Sequence, residues 1–147
     1  MRYSLIYLLL FSSVTFANDN LIETYETLNK KMDECLIESK RSITIDNKYL
    51  ASLSKLEQKA VLFVLAQKVN RACYLQEENH YALSVLNFAI ETNNNQPLDE
   101  FIALRKYDII NDEVMSVFKS LDLTELKKIQ ELPEFKKPFK PFLVTIK

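Results

Sequence analysis

Not one of the 147 residues is glycine. Loops that cradle a phosphate or a dinucleotide need glycine for close backbone approach, so P-loop and Rossmann fingerprints are ruled out. Tight two-residue β-hairpins lose their preferred residue as well. Any left-handed backbone position must pass to Asn or Asp, which tolerate it best. Asn93-Asn94-Asn95 and Asn111 are the candidates. With Leu, Lys and Glu abundant and glycine absent, the chain is expected to fold as an all-α helical bundle.

The N-terminus carries a tripartite pattern. Arg2 is followed by an apolar run, Leu5 to Phe11, interrupted only by Tyr7, and then by Ser12 and Ser13. Thr15 and Ala17 are small residues at the minus-three and minus-one places of a cut. The pattern predicts a signal peptide over residues 1–17, cleaved after Ala17, and a periplasmic or secreted chain. The apolar run falls well short of the roughly 20 residues a membrane-spanning helix needs. No transmembrane segment is expected in the mature chain, and no cysteine follows the cut to carry a lipid anchor.

Loss of Arg2 with the leader leaves 18 basic and 20 acidic residues. That balance argues against nucleic-acid binding, which calls for a basic excess. The charge is uneven along the chain: residues 124–147 hold six lysines against three glutamates, while the stretch before them is acidic. Cys35 and Cys73 are the only cysteines. In an oxidising compartment an even pair is read as one disulfide. Closing a loop of about 40 residues stabilises by roughly 3–4 kcal/mol in the chain-entropy model.

Apolar periodicity predicts a helix over residues 19–40, striped by Leu21, Tyr25, Leu28, Met32 and Cys35. Residues 42–47 read as a connector in which Ile43-Thr44-Ile45 can be extended. The strongest helix is expected over residues 54–77, opened by a Ser54-x-x-Glu57 capping box. Its Ala60–Ala66 run is apolar on all sides and reads as buried. A separate helix is expected over residues 80–92, another from Pro97, a further face over Val114 to Leu121, and a short helix starting at Asp122 with Glu125 three residues on. Five to six helices thus make one helical domain over residues 18–132. Residues 133–147 are set apart by prolines at 133, 138 and 141, which exclude regular helix. They read as an extended basic, aromatic, proline-containing arm whose Phe142–Ile146 end has strand-like composition.

Little in the chain can carry chemistry. His80 is the sole histidine, so a Ser-His or Cys-His arrangement would depend on it alone. Glu77 and His80 form half of a di-metal helix motif that requires a second copy. Asp33/Glu34, Glu77/Glu78 and Asp112/Glu113 pair carboxylates by sequence only, and neighbours on a helix point apart. No catalytic residue, metal site or cofactor is expected. The arm is the distinctive feature: Phe135, Phe139 and Phe142 alternate with Lys136, Lys137 and Lys140. Those six residues are the candidate partner-binding set, to be weighed against phenylalanines that simply fold back over the bundle. The expected function is noncatalytic protein binding in the periplasm, with an immunity or inhibitor protein against a cell-envelope toxin or hydrolase as the leading form. The alternatives are a periplasmic chaperone or ligand carrier, and a carboxylate-dependent envelope hydrolase.

Overall fold

Helix formers without glycine give the helices expected of them. A computed structural model describes the backbone of residues 4–107 and 110–147 and the side chains of residues 19–106 and 110–147. Among the described residues the order is α1 (Ser4–Glu38), β1 (Ile43–Ile45), α2 (Lys48–Ser52), α3 (Lys55–Thr92), α4 (Gln96–Tyr107), α5 (Asp112–Lys119) and α6 (Leu123–Gln130). Two 3-10 turns, Pro133–Phe135 and Pro141–Leu143, lead to β2 (Val144–Ile146). The class is all-α. Residues 1–3 of the expected leader lie outside the described residues, and the backbone of its remainder belongs to α1. No helix among the described residues is long and apolar enough to cross a membrane.

Several local expectations hold. Ser54 and Glu57 form the capping box: the Ser54 N–H donates to Glu57 Oε2 at 2.7 Å and the Glu57 N–H to Ser54 Oγ at 3.3 Å. These bonds hold the Glu57 carboxyl below the usual range. Asn93 takes the left-handed backbone (φ 55°) directly after α3, where a chain with glycine would place one. Asn111, by contrast, is not left-handed. Its φ is −50°, and its side chain caps α5 by accepting from the Glu113 N–H.

Two expectations need correction. The helices over residues 54–77 and 80–92 are one continuous α3. The intervening Glu77-Glu78-Asn79-His80 contains no helix breaker, and Asn and His cost only a few tenths of a kcal/mol each. At Asp122 the expected box is half formed. Asp122 accepts from the backbone of Thr124 and Glu125. Its own N–H goes to the Tyr49 hydroxyl at 3.1 Å, and Glu125 is engaged by Lys128.

The chain divides into two units. The first comprises Met1–Lys31 and Leu75–Ile109. Its interior holds Leu28, Val85 and Ala89. Tyr81 sits between Tyr25 and Phe101, with ring centres 5.6 and 5.7 Å away. Burial pushes the Tyr81 phenol up. Glu78 is buried and paired with Arg105 of α4, which explains an acid inside a helix face.

The second unit comprises Met32–Tyr74 and Ile110–Lys147. Ile43, Ile45, Leu50, Val61, Leu65, Leu126 and Ile129 form its core together with two residues of the tail, Phe135 and Phe139. Strand β2 pairs parallel to β1, with Ile43 opposite Val144 and Ile45 opposite Ile146. The disulfide joins Cys35 of α1 to Cys73 of α3, with Cα atoms 6.1 Å apart. Within α3, Val61, Leu62 and Leu65 are buried as expected, but Val64 is half-buried and Phe63 is 45 % exposed. The Ala60–Ala66 run is therefore buried on one side only.

Candidate functional site

Prolines remove backbone donors from residues 133–141 and keep that stretch of the tail, unlike β2 after it, out of a regular ladder. Side chains take over that work. Arg41 donates from Nε to the Pro138 carbonyl at 2.9 Å and from its guanidinium to the carbonyls of Glu134 and Lys137. Its planar fork of donors suits three convergent carbonyls. Asn70 grips Phe139 from both sides: its amide nitrogen donates to the Phe139 carbonyl, and its oxygen accepts from the Phe139 N–H at 3.0 Å. The tail is thus seated on α3 and on the segment after α1, instead of standing off as an arm.

The six candidate residues consequently divide three ways. Phe135 and Phe139 are 1 % and 0 % exposed, with ring centres 5.0 Å apart, and belong to the core. As placed, they present no surface to a partner. Lys136 and Lys137 line a cleft of about 450 Å³ floored by Leu65, Ala72 and Cys73. There Lys136 is bound to Glu131, and that bond holds the Glu131 carboxyl below the usual range. Lys68, on the same cleft, donates to Gln130 at 2.9 Å. Much of the positive charge of this cleft is answered internally.

Lys140 and Phe142 are different. Phe142 is 76 % exposed, and Lys140 Nζ stands 5.7 Å from its ring centre. On the facing stretch of α3, Lys59 Nζ stands 5.8 Å from the centre of Phe63. Between the two lies a cleft of about 300 Å³ lined by Leu62, Phe63, Phe142, Val144 and Ile146, with Lys55 and Lys59 at its rim. Among the described residues that line it, none is a carboxylate. This second cleft combines exposed aromatic surface, branched aliphatic side chains and positive charge: Lys55 Nζ donates to the neutral Gln58 Oε1 at 3.3 Å, and no carboxylate among the described lining residues faces Lys59. Phe63 lies in the Ala60–Ala66 run that reads as core, and Lys59 stands just before it. The only signal was the Lys59/Phe63 spacing of four residues, which places a cation over a ring on one helix face.

The candidates for chemistry stay apart. His80 is exposed, and its carbonyl accepts from Ser84 Oγ. Asp33, Glu34, Asp112 and Glu113 are exposed, and Glu78 is held by Arg105. No group of three His, Cys, Asp or Glu among the described residues is arranged to hold a metal ion.

No protein-family model, curated protein or solved structure matches this chain. What it does is therefore a matter of the chemistry its own surfaces offer, and the Phe63–Phe142 cleft offers the most.

Proposed function

We propose that the chain is a secreted, periplasmic, noncatalytic protein-binding protein, in the form of an immunity or inhibitor protein that occludes a cell-envelope toxin or hydrolase. The observation that carries this reading is Phe142: a large ring left 76 % exposed, backed by Lys140, on a tail that is otherwise anchored in the core. Exposed aromatic anchors beside cations on a rigid support are the residue types that dominate binding energy at protein interfaces. The leader pattern over residues 1–17 and the disulfide fit an oxidising address outside the cytoplasm.

A second reading is a periplasmic chaperone or ligand carrier. It is favoured by Leu83, Leu86 and Ile90, which lie on one face of α3 in the first unit at 59 %, 44 % and 71 % exposure. The carboxylate-hydrolase alternative has less behind it, since the most buried acid is already paired.

The test compares capture of envelope proteins by the exported chain, by His80→Ala, by Phe142→Ser with Lys140→Glu, and by Leu86→Asp with Ile90→Asp. Capture of one discrete partner, unchanged in His80→Ala and weakened about tenfold or more in the Phe142 variant, is the expected result. Loss in the Leu86 variant alone, together with suppression of aggregation of an unfolded client, selects the chaperone. Loss with His80→Ala defeats the noncatalytic reading.

A further inference from the structure

We infer that the Phe63–Phe142 cleft receives an acidic, extended segment of the partner protein, which pairs as a third strand along the outer edge of β2. This inference rests on the protein-binding reading above and names what the cleft takes.

The first support is the register. β1 and β2 form a two-stranded sheet, with Ile43 opposite Val144 and Ile45 opposite Ile146. The Lys147 N–H donates to the Ile45 carbonyl at 2.9 Å. In a strand, alternate residues turn their backbone polar groups to opposite edges. Lys147 and Thr145 therefore serve the β1 side, and Ile146 turns its N–H and C=O to the outer edge, as Val144 does its C=O. The Val144 N–H is taken by the Pro141 carbonyl. The outer edge thus offers one donor and two acceptors in strand geometry, the arrangement that strand addition exploits.

The second support is what lies alongside. Val144 and Ile146, on one face of the strand, line the cleft with Phe63 and Phe142. An added strand would set every second side chain among them. The third is charge. Lys55 and Lys59 rim the cleft, Lys140 stands over Phe142, and Lys147 directly follows the strand. With no carboxylate among the described lining residues, an incoming strand gains from acids at the positions between its apolar ones. Alternating acid and branched aliphatic residues meet all three demands. Lys140 and Lys147, flanking this short edge strand, also deter pairing with a second, lysine-bearing copy of this chain.

The probe is a fluorescein-labelled synthetic peptide alternating Glu with Val, titrated into the full chain and followed by anisotropy. A peptide alternating Lys with Val is the charge control, and the Glu-Val peptide N-methylated at alternate amides is the backbone control. The expected result is binding of the acidic peptide, about tenfold or more weaker binding of the basic one, and a reversed preference in Lys59→Glu with Lys140→Glu. N-methylation should weaken binding by about tenfold, and the Ile146 amide should exchange more slowly when the peptide is bound. Equal binding of both peptides, or no binding of either, overturns the inference. So does association with phosphatidylglycerol vesicles in place of the peptide, which would make the patch a lipid surface. Partner capture that persists in excess acidic peptide removes the cleft from the interface and leaves the protein-binding reading standing. Peptide binding to a chain that captures no partner defeats that reading while the cleft's preference for acidic strands survives.

Discussion

Phe139→Ala should destabilise the protein by about 3–5 kcal/mol, the range for removing a fully buried aromatic ring and leaving a cavity. Phe139 is 0 % exposed, meets the Phe135 ring at a tilt of 44°, and packs in the cluster that holds Leu50, Val61 and Ile129. Its backbone is pinned by Asn70, so the surroundings cannot easily close the gap. Phe142→Ala, three residues on, removes a ring that is 76 % exposed and should cost less than about 1 kcal/mol. Urea unfolding of both variants gives the comparison, read as a shift in midpoint at constant slope. A near-neutral Phe139→Ala would mean that the tail is peripheral to the core. The same burial governs truncation. Deleting residues 136–147 removes Phe139 and β2 along with the lysines, so it is a folding lesion and cannot serve as a test of binding.

Loss of the disulfide should cost about as much. The two cysteines are 38 positions apart, and releasing a loop of that size returns about 4 kcal/mol of conformational entropy to the unfolded chain. Cys35→Ala with Cys73→Ala, or reduction of the wild-type chain, should lower Tm by on the order of ten degrees or more. Native protein should show no titratable thiol before reduction. Two reactive thiols in oxidised protein, or an unchanged Tm after reduction, would contradict the bridge.

How much of this was legible in the sequence depends on the range of the interaction. The capping box at Ser54, the start at Asp122 and the left-handed place at Asn93 are set by residues within one turn of each other, and were read correctly at that level. The bridge between Cys35 and Cys73 followed from there being no other cysteine to pair with. The continuity of α3 was not legible. The tract over residues 77–80 holds no helix breaker, so propensity permits continuity, but its polarity also suits a loop, and the burial of Glu78 against Arg105 of α4 lies beyond local reading. The seat of the tail was not legible either. Prolines, lysines and phenylalanines describe a free arm and a packed one equally well. What decides between them is Arg41, more than ninety positions away, and the pairing of Ile43–Ile45 with Val144–Ile146. Nothing local marks Arg41 as the residue that collects three tail carbonyls. Of the six partner-binding candidates, the structure leaves Lys140 and Phe142 beside the lysine-rimmed cleft, and adds Lys59 and Phe63 to them.

On the proposed reading, the chain meets its partner at Phe142. A photoreactive phenylalanine analogue installed there in the exported chain, irradiated in intact cells, tests it most directly. Leu123 of α6, 61 % exposed in the same unit, is the matched control position. One discrete adduct is expected from position 142, lost when Lys59→Glu and Lys140→Glu are added, and none of that mass from position 123. No adduct from 142, or the same adducts from both positions, would contradict that reading.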